Sequence, residues 1–181
     1  MMMWVMQLSD GDEHTRPPLI TIDSTGGVLS AALATSSILK SSSAPIHVLN
    51  LSRCWSSAVA IFLSVPVERR LAMPHSTFMI HFGTQEIKYT SKQEQEAELA
   101  FNEAEDRAYD AILLNACTLS VAKRKLEHQL TRHESVYIHC SEAARMGWIV
   151  LQTSSKSLKT FTAPLMRTPL ATDIDPVVEM A

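Results

Sequence analysis

Apolar runs broken by glycine, proline and serine turns recur along the first half of the chain. "LITID" (19–23) is β-branched and apolar, stops at "STGG", and gives way to "VLSAALATSSILK" (28–40), long enough for a helix and closed by Lys40. The pattern repeats: "IHVLNL" (46–51) predicts a buried strand, "SRCW" a turn, and "SSAVAIFLSV" (56–65) a helix stopped by Pro66. "STFMIHF" (76–82) predicts a third strand after the loop around Pro74. Strand, turn and helix in alternation predict an α/β fold with parallel strands joined by helical crossovers.

The second half changes character. "SKQEQEAELAFNEAEDRAYDAILLNA" predicts a long helix from Ser91, which with Glu94 three residues later forms a capping box. Ala97, Ala100, Phe101, Ala104, Ala108, Ala111 and Ile112 fall on one stripe, with Glu96, Glu103, Asp106, Arg107 and Asp110 around it. So narrow an alanine stripe fits close packing on another helix, of this subunit or another; a solvated surface helix is the plainer alternative. A basic helix, "VAKRKLEHQL", follows. In "SEAARMGWIVL", Ser141 can cap a two-turn helix, Gly147 can end it, and "WIVL" reads as a strand. From about Thr153 the chain is rich in Ser, Thr and Pro, which predicts a core domain over 1–152 and an irregular tail over 153–181.

Composition narrows the function classes. With 181 residues the chain is long enough for one domain with a sizeable core. A net charge of −3 gives no electrostatic reason to expect nucleic acid or an acidic membrane as partner. Cys54, Cys117 and Cys140 form no CxxC pair, which argues against a disulfide framework or a zinc site and for a reducing, cytoplasmic setting. The N-terminus lacks a signal-peptide pattern, and no apolar run approaches the ~20 residues that span a bilayer.

Three features could carry chemistry. Gly26 and Gly27 stand at a strand-to-helix turn, where they make either a plain tight turn or a backbone surface whose N–H groups meet an anion. His81 ends the strand "FMIHF", where strand ends of α/β folds face a crevice. Ser56 and Ser57 open an apolar helix, as caps or with one of them as a nucleophile.

Taken in order, "IDSTGG", a serine at a helix start, Pro74, "MIH" and "EAARMG" resemble the proteolytic subunit of the Clp protease, over about Trp4 to Leu151, with "MIH" the most specific block. The resemblance implies a crotonase-like α/β fold, a repeated β-β-α superhelix with the Ser91 helix as a handle. It implies Ser57 as nucleophile, with Ser56 the alternative, His81 as its base, and backbone N–H groups of Gly27 and Ala58 as the oxyanion hole. Neither a cofactor nor a metal is called for. The family's acidic triad member lies seven residues ahead of the helix glutamate, which from Glu142 is Ser135. The neighbouring Glu134 is the first candidate for that role, if the loop shifts by one residue. Arg53 stands where the family has glycine, and Trp55 where it has a small residue. "MMMWV" matches part of the family's first helix, so its N-terminal strand and axial loop are expected to be missing.

The implied function is that of a cytoplasmic serine endopeptidase acting on unfolded polypeptides. It would sit in rings of this subunit, alone or mixed with a paralogous one, and work with an AAA+ unfoldase. The alternative is an impaired or inactive subunit with an assembly or regulatory role. A crotonase-type acyl-CoA enzyme ranks last, because it needs no serine and histidine at these places.

Overall fold

The computed structural model describes residues 3–6, 18–81, 91–131 and 135–150, all within the unit Met1–Leu151. The expected tail from residue 153 lies outside the described residues. A six-stranded sheet runs in the order β1 (Met3–Met6), β2 (Leu19–Ser24), β3 (His47–Trp55), β5 (Thr77–Ile80), β6 (Val136–His139), with β4 (Arg70–Ala72) also against β3. β2, β3, β4 and β5 are parallel, and β1 and β6 are antiparallel edges. The three strands read from apolar runs therefore share one sheet, linked by α1 (Leu29–Ser41) and α2 (Ala58–Phe62).

Five expectations are corrected. Residues Met3–Met6 form a strand against β2, not the start of a helix. "SRCW" is not a turn: β5 offers a second partner once β4 ends, pairing Arg53 with Thr77 and Trp55 with Met79, so β3 continues. The helix after it is only Ala58–Phe62, and beyond it the carbonyls of Leu63 and Val65 bond to Arg70 at 2.9 and 2.6 Å. Ser141 does not cap α5 (Cys140–Met146); the cap position is His139, without a side-chain bond. The described part of "WIVL", residues 148–150, is not a strand: Gly147 takes φ 85°, Trp148 N–H returns to Ala143 O at 2.9 Å, and this closure turns Trp148 into the core.

The core lies between the sheet and the helices. All five residues of α2 are buried, as befits a helix apolar on every side. Phe62, Phe78 and Trp148 meet edge to face at centroid distances of 4.9 and 5.8 Å. α3 (Lys92–Asn115) starts as predicted, since Ser91 Oγ accepts from Glu94 N–H at 3.2 Å and donates to its carboxylate at 3.0 Å. Its buried residues are Tyr109 and Leu113, and it packs against α1, α2 and α4 (Ser120–Thr131). The alanine stripe is left outside: Ala97, Ala100, Phe101, Ala104, Ala108 and Ala111 are exposed.

Candidate active site

Two residues separate β3 from α2, and the chain must reverse within them. Ser56 does so at φ 54°, the one positive φ among the described non-glycine residues. A β-carbon makes that region costly, of order 1–3 kcal/mol. The turn persists because its backbone groups are held: Ser56 N–H donates to Met79 O at 2.6 Å, and Ser56 O accepts from Val59 N–H at 3.0 Å and from the Tyr109 hydroxyl at 2.7 Å. Bonds of about 1 kcal/mol net each are together enough to offset the strain. The glycine pair matters for the same turn. Gly26, at φ 104°, passes so close that a β-carbon on it would lie 2.6 Å from Ser56 Cβ.

The turn decides which serine meets the histidine. Ser56 Oγ lies 2.9 Å from His81 Nε2. Ser57 is buried and donates its hydroxyl to Gly27 O at 3.1 Å. The partnership expected of Ser57 with His81 thus falls to Ser56: the left-handed residue swings its side chain toward the strand-end histidine, while the next, already helical, turns its own into the glycine loop. Of the residues expected to supply oxyanion donors, Gly27 lines the cleft and Ala58 does not; Ser57 lines it too. The N–H groups of Gly27 and Ser57 make no hydrogen bond among the described residues.

Ser135, expected at the family's acidic position, stands one residue before β6. Thr77 pairs with His139 and Ile80 with Val136, so one further step sets Ser135 opposite His81. Directly opposite residues of an antiparallel pair point to the same face, and the neighbour of either points to the other. Ser135 and His81 form no hydrogen bond to each other, and among the described residues His81 Nδ1 has no partner. Glu134 lies outside the described residues.

Ser56, His81 and Gly27 border a cleft of about 780 Å³, walled on its far side by α3 through Leu99, Asn102 and Tyr109. Arg53 and Trp55 do not line it. They project from the other face of the sheet, where Arg53 pairs with Asp23 at 3.0 Å and Trp55 donates to Thr77 Oγ1 at 3.0 Å and meets Tyr137 edge to face. The Arg53 guanidinium holds the Asp23 carboxyl below the usual carboxylate range. Burial pushes the Cys54 thiol well up, so the cysteine nearest the turn is neutral and shut off from the cleft. Among the described residues no group of His, Cys, Asp and Glu could hold a metal ion, and no helix is long and apolar enough to cross a membrane.

Sequence reading missed Tyr109, whose only signal was a lone aromatic near the alanine stripe, and Arg70, a charged residue in an otherwise apolar stretch.

Comparison with known proteins places these features. The sequence pattern of the Clp protease family matches residues 2–152. An ATP-dependent Clp protease proteolytic subunit 2 from Treponema denticola is 35% identical over 74 residues, which are 41% of this chain and 37% of that protein. The chain thus aligns with little over a third of that curated relative's length. Among solved structures, a mutant ClpP1 from Listeria monocytogenes superposes with a TM-score of 0.61 at 20% identity, covering 74% of this chain and 71% of that one. A peptidase from Plasmodium falciparum gives 0.61 at 15% identity, covering 75% and 78%. At such identities the likeness shows the fold, α/β and crotonase-like.

Proposed function

The chain belongs to the Clp protease family, and we propose that it is a serine peptidase subunit in which Ser56 is the nucleophile and His81 its base. The observation that carries this reading is the 2.9 Å contact between Ser56 Oγ and His81 Nε2 at a strained strand-to-helix turn. A neutral serine hydroxyl is a poor nucleophile, and a histidine within hydrogen-bond reach can take its proton as it attacks a peptide carbonyl. Negative charge then gathers on the carbonyl oxygen. We assign its reception to the backbone N–H groups of Ser57, the residue after the nucleophile at the start of the buried helix α2, and of Gly27, which lines the same cleft. His81, once protonated, returns the proton to the leaving amine.

Unfolded chains are the substrate class we assign to this cleft of about 780 Å³. The exposed alanine stripe of α3 supports assembly into rings, of this subunit alone or mixed with a paralogous one. The Treponema relative is an ATP-dependent Clp protease subunit, which supports an AAA+ unfoldase as partner. A cytoplasmic setting accords with the three free cysteines.

A second reading, a subunit of low or no activity, draws on Ser135: the position opposite His81 offers a hydroxyl instead of a carboxylate. One experiment separates them. A fluorophosphonate probe, with the modified peptide identified by mass spectrometry, should label Ser56; Ser56→Ala should abolish labelling and Ser57→Ala should retain it. No labelling of the assembled wild-type protein would overturn the peptidase reading, and labelling at Ser57 would overturn the choice of serine.

A further inference from the structure

We infer that Tyr109 is a positioning residue for Ser56: by donating its hydroxyl to the Ser56 carbonyl at 2.7 Å it holds the strained turn that aims the serine at His81. The inference rests on reading Ser56 and His81 as the reacting pair.

A serine at φ 54° lacks the freedom of glycine, so the conformation lasts only where the surroundings over-determine it. One of the three bonds that hold it is local to the turn, and two come from other elements. Met79 O continues the β3–β5 ladder by one step, and Val59 N–H begins α2. The Met79 bond restrains the peptide plane before Ser56, and the Val59 bond follows the chain's own next turn. The third comes from 53 residues away, on α3. It fixes the peptide plane that follows Ser56 from outside the turn, and so fixes the torsions on which the direction of the Ser56 side chain depends.

Tyr109 is suited to that task. Its ring is buried against the core side of α3, which leaves the hydroxyl little freedom to move. Burial pushes the phenol well above its ordinary range, so it stays protonated and can donate across neutral pH. The same residue lines the cleft, which places the support beside the chemistry without requiring contact with the reacting atoms.

Tyr109→Phe keeps the ring and removes only the donor. The labelling rate constant of Ser56 with a fluorophosphonate should fall about tenfold, with the half-saturating probe concentration unchanged, because the turn is populated less in the aimed geometry while the cleft keeps its shape. For a cleavable peptide the same variant should lower kcat and leave KM. A second measurement does not depend on chemistry: amide hydrogen exchange at Ser56 and Val59 should quicken severalfold in the variant, while exchange in β2 and α3 stays as in the wild type. Slower labelling together with quicker exchange supports the inference. Labelling within twofold of wild type overturns it. Slower labelling with unchanged exchange also overturns it, since the hydroxyl would then act on the probe and not on the turn. If the wild type takes no label at any serine, the hydrolytic reading is what fails; quicker exchange would still support the clamp, and unchanged exchange would overturn it.

Discussion

Gly26 runs so close beneath Ser56 that a β-carbon on the glycine would lie 2.6 Å from the β-carbon of the serine and 2.9 Å from the carbonyl oxygen of Trp55. Its φ of 104° is itself closed to side chains. Gly26→Ala must therefore push the glycine loop away, and with it Gly27, whose carbonyl is tied to Ser57. We expect a stability loss of about 2 kcal/mol or more and at least a tenfold drop in fluorophosphonate labelling. Chemical denaturation and labelling kinetics check both; a variant of wild-type stability would show that the loop is not packed as described.

A different contact secures the chain just past the C-terminal end of α2. Arg70, almost fully buried, donates to the carbonyls of Val65, Leu63 and Trp148 at 2.6, 2.9 and 3.3 Å. Burial lowers its guanidinium to about 10, still above neutral pH, so it enters the core charged. Arg70→Met fills much of the volume but leaves those carbonyls without a donor, and buried acceptors cost about 1–3 kcal/mol each when unpaired. The loss should be about 3 kcal/mol, read by urea unfolding. Arg70→Lys should recover only part of it, since an ammonium cannot span acceptors set around a planar fork.

The fold was legible wherever one signal acted alone. Leu19–Ile22 and Val48–Leu49 are apolar and β-branched because both faces of those strands are covered, and Ser91 with Glu94 marked the start of α3. Reading failed where a signal needed a partner elsewhere in the chain. Ser52 and Arg53 broke the apolar run of β3 because they precede the turn on a partly open stretch, and only β5 shows that the strand goes on. The alternation in Val136–His139 is buried–exposed in strict period, but at four residues it is too short to stand out. The choice between Ser56 and Ser57 was closed to sequence for a related reason: a positive φ is not a property of serine but of what Met79, Tyr109 and Gly26 allow it.

The exposed stripe of α3 makes a prediction about assembly. Ala104 faces out, away from Tyr109 and Leu113, so replacing it costs the folded subunit little, within about 0.5 kcal/mol. An arginine there would block close approach of another helix. Ala104→Arg should leave the melting curve of the subunit nearly unchanged and lower the particle mass measured by light scattering. An unchanged mass would show that the stripe is not an assembly surface.

The last prediction concerns the group behind His81. During attack the imidazole becomes a cation, and a carboxylate on its far nitrogen stabilises that cation through charge, where a hydroxyl offers only a dipole. In chymotrypsin-type enzymes, disabling the aspartate lowers turnover about 10⁴-fold because the histidine loses its tautomer and orientation. The β5–β6 register, continued one step, puts Ser135 opposite His81. Ser135→Asp should therefore raise peptide turnover by at least tenfold, with most of the gain in kcat, since the added charge acts in the transition state more than on bound substrate. Glu134→Gln should change turnover less than twofold. If Glu134→Gln instead removes most activity, and Ser135→Asp adds none, the glutamate has taken the third place and the register does not continue past Val136.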